Sequence, residues 1–408
     1  MAARLGKILG WGTFALACGS DPGETPTGSP GPQGGAGQAA GTNAGTGGGG
    51  GGGSTALTAG STGTAGSTQA GASSGGASDG GSAGAASGSA GAAGQAQGGE
   101  GGTATGGGGS GGANPNEDQM PWRELMVTAQ PDLYQFGFQP SDADPMAVQQ
   151  NGQQVAALDT RVTPLMKKLV VDIGFNRGEY DPWVTARGFH FLAVDFLGVD
   201  EYEIVRGDAD FYGDARLEAL EGVNHTDDPD VDINYHDSME GHVTEGLKYL
   251  RDQLPDQDWG YYLNQDDTVR WSDVIMTGLS HGASSVARWG MVRRLSRVVS
   301  KSGPRDNTCG TDPNCAMGVV ATWFSETPAT PLDRFFAISG TMDPQYPEIL
   351  YAMDQIGYVG DPVDVGQAAA PYGGSHRLTA NAGHEPFCGS AQYDEPCNYM
   401  FGVPPENQ

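Results

Sequence analysis

Between residues 19 and 116 the chain is almost wholly glycine, alanine, serine, threonine and glutamine, and Leu57 is its one large apolar side chain. Such a tract cannot bury enough apolar surface to offset the entropy lost on ordering, so it is expected to be disordered. As a glycine-rich coil of about 100 residues its ends would lie roughly 55 Å apart, which makes it a tether. Whatever folds in these 408 residues must therefore be built from 117–408. That region carries every one of the seven tryptophans except Trp11 and is long enough for one large domain.

The first 18 residues have the order of an export signal. Arg4 and Lys7 are followed by an apolar run, Ile8 to Ala17, and by the small-residue pattern Ala15-Leu16-Ala17-Cys18. The run is too short to span a bilayer as a mature helix. Cys18 at the head of a flexible linker resembles a bacterial lipoprotein, which implies lipidation of Cys18 and membrane contact through that lipid alone. Leu16 stands two residues before the cysteine, where the lipoprotein pattern usually has three, so ordinary cleavage and secretion stay open. The expected organisation is a signal peptide over 1–18, a disordered linker over 19–116 and one folded domain over 117–408.

Four further cysteines fall into two local pairs, Cys309 with Cys315 and Cys388 with Cys397, each enclosing turn-forming residues. An exported chain would close both as disulfides. A four-cysteine metal site is the weaker alternative, because neither pair has C-x-x-C spacing. Of the 21 basic residues only Arg4 and Lys7, and of the 49 acidic ones only Asp21, Glu24, Asp79 and Glu100, lie outside 117–408, which leaves that region at −26 of the formal −28. A domain this acidic repels phosphate backbones, which argues against nucleic acid as a partner. The run Asp227-Asp228-Pro229-Asp230-Val231-Asp232 lacks the glycine and bidentate glutamate of a calcium loop. His225, His236 and His242 lie among acids without ligand spacing and read as solvated loop residues. No metal, cofactor or protein partner is expected.

From Lys167 onward, strand-like and helix-like patterns alternate, which predicts a doubly wound α/β fold with a mostly parallel sheet. Leu169–Ile173 and Phe189–Phe196 read as buried strands. Val243, Leu247, Leu250 and Leu254 recur at helical spacing between Ser238 and the stop at Pro255. Val274–Thr277, Arg297–Ser302 and Phe335–Ser339 read as further strands, and 283–295 as a helix. Residues 116–165 show no pattern that places them.

The strand over Val274–Thr277 runs into Gly278-Leu279-Ser280-His281-Gly282 and then into the helix. A nucleophile elbow needs this order: strand, very tight turn carrying serine, helix. The tract at 19–116 also contains Gly71-Ala72-Ser73-Ser74-Gly75 and Gly76-Ala77-Ser78-Asp79-Gly80, but with no strand before or helix after either. Context singles out Ser280.

A serine hydroxyl needs a base to take its proton, and the base needs an orienting group. Asp343, in Ser339-Gly340-Thr341-Met342-Asp343-Pro344, sits just past a predicted strand end; His384, in Asn381-Ala382-Gly383-His384, follows the probable last strand near His376–Leu378. Asp306 is a second candidate acid and His376 a second candidate histidine. Over Leu169–Phe387 this ordered set resembles the α/β-hydrolase superfamily. The resemblance implies a serine hydrolase working through an acyl-enzyme on carboxylic esters, its substrate a small or polymeric acyl compound. By it Ser280 is the nucleophile, His384 the general base and then acid, and Asp343 the orienting carboxylate. The same resemblance draws one oxyanion-hole N–H from His281 and a second from Phe175, although the His-Gly-Gly-Gly run of lipases is absent. A peptidase or amidase with the same triad is an alternative, as is a hydrolase-fold surface binding protein without turnover.

Overall fold

The apolar runs starting at Leu169, Val274 and Phe335 become strands with almost every side chain buried, as parallel strands covered by helices on both faces must be. The computed structural model describes residues 121–149, 152–173, 181–194, 209–229, 231–306 and 321–408. The signal and linker segments, Cys18, Phe175, Cys309 and Cys315 lie outside the described residues.

The first elements among the described residues are β1 (Leu133–Phe138), α1 (Pro140–Ala143) and β2 (Gln154–Asp159). There follow β3 (Leu169–Asp172), α2 (Pro182–Thr185), β4 (His190–Ala193), α3 (Ala209–Glu221) and α4 (Met239–Gln253). The centre of the fold is β5 (Val274–Leu279), α5 (His281–Val292) and β6 (Arg297–Lys301). The rest comprises β7 (Phe335–Gly340), α6 (Tyr346–Ile356), β8 (Val363–Asp364), β9 (Arg377–Ala380) and α7 (Asp394–Phe401). Among the described residues these nine strands form one sheet in the order β1-β2-β4-β3-β5-β6-β7-β9-β8. The pairs β1–β2 and β2–β4 are antiparallel and every other pair is parallel. The fold is the doubly wound, mostly parallel α/β type that the alternation predicts.

Alternate side chains of each strand feed two cores. Val171, Met276, Val298 and Ala337 face α3, α4, α5 and α6, where Val243, Leu247 and Leu250 of α4 are fully buried. Val170, Ile275, Val299 and Ile338 face α2 and α7, where the tilted rings of Trp183 and Phe401 lie 5.2 Å apart. Burying each such side chain contributes about 1.5–3 kcal/mol. Ser238 caps α4, its Oγ accepting from the Gly241 amide, and the helix ends just before Pro255. The edge β1–β2 pair occupies the stretch that showed no sequence pattern. His242, expected in a loop, lies buried on α4 instead, because its helical phase points it inward with Val243. His225 and His236 pair with separate acids, Glu221 at 3.1 Å and Asp144 at 2.6 Å.

One buried histidine couples this fold to pH. His190, at the start of β4, is enclosed by the Gln257 carbonyl 2.8 Å from Nε2 and the Tyr262 hydroxyl 2.9 Å from Nδ1. Nε2–H donates to the carbonyl, and in the neutral ring Nδ1 accepts from the Tyr262 hydroxyl. Burial pushes its pKa from 6.5 down to about 4. The unfolded chain therefore takes up this proton first as pH falls. The stabilisation is complete above about pH 6.5 and is lost towards pH 4, a difference of about 3 kcal/mol. The unfolding midpoint should hold above pH 7 and decline across that window, and His190→Phe should remove most of the decline while lowering stability throughout. An acid slope unchanged in His190→Phe would refute this role.

Candidate active site

Ser280 stands between β5 and α5 with φ 57° and ψ −114°, a backbone conformation rare for a residue with a side chain. Such a position costs on the order of 1–3 kcal/mol and persists only where its surroundings over-determine it. Here the strand and the helix it feeds are in backbone contact. A Cβ on Gly278 would fall 2.5 Å from the carbonyl carbon of Gly282. The Ser280 amide donates to the Lys301 carbonyl at 2.8 Å, which extends the β5–β6 ladder by one residue and ties the turn to the end of β6.

Asp343 and His384 meet because two neighbouring strands keep pairing after they formally end. In the β7–β9 ladder Gly340 lies opposite Ala380. Beyond it the Thr341 amide donates to the Ala380 carbonyl at 2.8 Å and the Met342 amide to the Ala382 carbonyl at 2.9 Å. The next side chains along these two segments are Asp343 and, past Gly383, His384. His384 Nδ1 is 2.6 Å from Asp343 Oδ2. The other carboxylate oxygen of Asp343 accepts from the Gln345 amide at 2.9 Å, at the entrance to α6. Asp343 thus makes its Asp-Pro turn and holds the histidine on separate oxygens.

Burial, the largest influence on the Asp343 carboxyl, pushes its pKa up. The His384 hydrogen bond, the Gln345 amide and the charges of His384 and Arg305 outweigh it, and together hold the carboxyl below its usual range. The carboxylate is the favoured form, and with it a histidine whose Nδ1 donates. The Asp343 side chain is 1 % exposed and that of His384 34 %, so solvent reaches the imidazole and not the carboxylate.

Ser302, which the sequence places only at the end of a predicted strand, links the two halves. It follows Lys301 in β6, its amide donates to the Ile338 carbonyl, and its hydroxyl donates to the Glu385 carbonyl at 3.0 Å while accepting from the Glu385 amide at 3.2 Å. The residue after His384 is thereby fixed to the strand that holds Ser280. In sequence Ser302 is only a serine before Gly303-Pro304, and its contacts follow from a register that no local pattern reveals.

The competing residues are occupied elsewhere. Asp306 is bidentate to Arg216, with oxygens 2.6–3.0 Å from Nε and Nη2. His376 precedes β9, at the opposite end of that strand from His384, with its Nδ1 donating to the Phe335 carbonyl and its ring stacked on Phe336 at 3.9 Å. His281 is the first residue of α5. Cys388 and Cys397 form a disulfide that ties the segment after His384 to α7. Among the described residues no group of three or more His, Cys, Asp or Glu is placed to hold a metal.

No family model matches the chain, and no curated protein does. Solved structures do align with it. Esterase B from Lactobacillus Rhamnosis (HN001) is 12% identical over 68% of this chain and 86% of its own, with a TM-score of 0.36. An S-formylglutathione hydrolase from Agrobacterium tumefaciens is 12% identical over 68% of this chain and 98% of its own, with a TM-score of 0.35. The FrmB S-formylglutathione hydrolase from Staphylococcus aureus gives 11%, 67%, 99% and 0.33. At these identities and scores the likeness says nothing of activity, and the chemistry has to come from this chain's own residues.

The contact of the two loops makes a stability prediction. A methyl group on Gly340 would sit 2.0 Å from the Gly383 carbonyl oxygen, whereas one on Gly383 would meet nothing within 4 Å. Gly340→Ala should cost about 1–3 kcal/mol in urea unfolding, and Gly383→Ala should stay within about 0.5 kcal/mol. Equal effects of the two substitutions would contradict the close approach.

Proposed function

We propose that the protein is a serine hydrolase that cleaves carboxylic esters through an acyl-enzyme, with Ser280 as nucleophile, His384 as base and acid, and Asp343 as orienting carboxylate. The observation that carries this reading is the 2.6 Å Asp343–His384 pair, delivered by β7 and β9 to the same strand ends at which β5 presents Ser280 in its strained turn. An imidazole that donates from Nδ1 has Nε2 as its acceptor, which is what a general base requires.

In this mechanism Ser280 Oγ bonds to the ester carbonyl carbon as its proton passes to His384 Nε2. The resulting oxyanion is held by the His281 amide, with Phe175 proposed as the second donor. Collapse breaks the bond to the leaving oxygen, which takes the proton from His384. Water then attacks the acyl carbon, gives its proton to His384, and the acid departs as Ser280 regains its hydrogen. Asp343 keeps the imidazole in one tautomer and stabilises the imidazolium. We further propose that the enzyme is exported and held at a membrane by a lipid on Cys18, with the 19–116 tract as tether and a second disulfide between Cys309 and Cys315.

Short-chain p-nitrophenyl esters test the catalytic part on the full chain. Ser280→Ala and His384→Ala should each lower kcat/KM by at least ~10³-fold, and the double variant no further, because the residues act as one unit. Asp343→Asn should also lose at least ~10³-fold, through the wrong tautomer. A folded parent without turnover of any ester, or variants that keep the parent rate, would overturn the proposal; amide turnover lost in the same variants would move it to an amidase.

A further inference from the structure

A buried arginine reaches the nucleophile turn from the other side of α5. Arg216, in the middle of α3, has a guanidinium with no exposed surface, and its partner Asp306, which follows β6, is 1 % exposed at the side chain. Two nitrogens of the guanidinium serve Asp306, whose Oδ2 also accepts from Trp323 Nε1 at 3.1 Å. The third, Nη1, lies 3.2 Å from the His281 carbonyl oxygen, 3.0 Å from Ser285 Oγ, and against the His281 ring, 2.8 Å from Nδ1 and 3.3 Å from Nε2. Ser285 Oγ in turn donates to the same His281 carbonyl at 3.2 Å.

We infer that Arg216 is a positioning residue for the oxyanion side of the Ser280 turn, acting through His281; this rests on the serine-hydrolase reading above. A pair that served only to neutralise Asp306 would have no use for the third nitrogen. Here that nitrogen lies against both the backbone and the ring of His281, whose amide is one of the two proposed oxyanion donors. Holding carbonyl and imidazole together fixes His281 as a rigid body. It also supplies part of the over-determination that keeps Ser280 at positive φ. Because the oxyanion exists only after attack, misplacing its donor lowers the rate of acylation and leaves ground-state binding nearly intact.

The test uses the full chain with a p-nitrophenyl ester and a fluorophosphonate. Arg216→Lys keeps a charge for Asp306, but one ammonium cannot reach Asp306 and His281 together. It should fold, as judged by its unfolding midpoint, with kcat down about 10- to 100-fold, phosphonylation slowed in proportion, and KM within about threefold. His281→Ala should also lower kcat, and the Arg216→Lys/His281→Ala double variant should fall no further than Arg216→Lys, since both remove one interaction. If Arg216→Lys does not fold, Arg216→Met/Asp306→Leu removes both buried charges and takes its place. Folded variants with the parent kcat, or independent and multiplying losses, would overturn the inference. A parent that turns over while these variants match it refutes this inference alone; a parent that neither hydrolyses an ester nor takes the phosphonate refutes the serine-hydrolase reading itself.

Discussion

Direct contact between backbones at the carboxyl ends of β5, β6, β7 and β9 sets where Ser280, Asp343 and His384 stand. The ladder positions are fixed: Leu279 opposite Lys301, Lys301 opposite Ile338, Gly340 opposite Ala380. From each of these positions a few more backbone hydrogen bonds carry the pairing into the loops. Because side chains alternate along a strand, a slip of one residue between β7 and β9 would turn every buried side chain to the wrong face. The two apolar cores therefore hold the register, and the register holds the Asp343–His384 pair. Small residues mark where the backbones touch: a methyl group on Gly278 would strike the Gly282 backbone, and one on Gly340 the Gly383 carbonyl.

Around this frame several buried charges have partners close by. Asp343 trades its desolvation for the His384 ring and the Gln345 amide. Arg216 and Asp306 neutralise one another behind α5. Lys301, whose carbonyl holds the Ser280 amide, turns its ammonium to Asp172 at the end of β3, 3.3 Å away. Isolated, any of these charges would be costly in the interior; paired, they add direction at the cost of little net stability.

The parts of this arrangement that were legible in the sequence are those encoded locally. Val274 to Gly282 announces strand, turn and helix by composition alone, and the α4 stripe ends where Ser238 and Pro255 say it should. Asp343 and His384 stood out because each closes a loop just past a strand and because chain order links them to Ser280. The edge strands were not legible. Gly137 interrupts the apolar run of β1, and β2 is a short run between Gln154 and Asp159 that looks like loop until its neighbours cover it. Helix α3 has no legible stripe, because its inward face carries Arg216 and Glu218, both buried. Ser302 and Arg216 matter only through partners far away in the chain, and no spacing rule reaches that distance.

We propose that Ser280, alone among the serines, is made nucleophilic by the Asp343–His384 pair. Mapping a fluorophosphonate adduct on the full chain by peptide mass spectrometry tests it most directly. A single adduct is expected on the peptide that contains Ser280, absent when the protein is unfolded before labelling. An adduct on a different serine, or none on a folded and ester-cleaving protein, would contradict it.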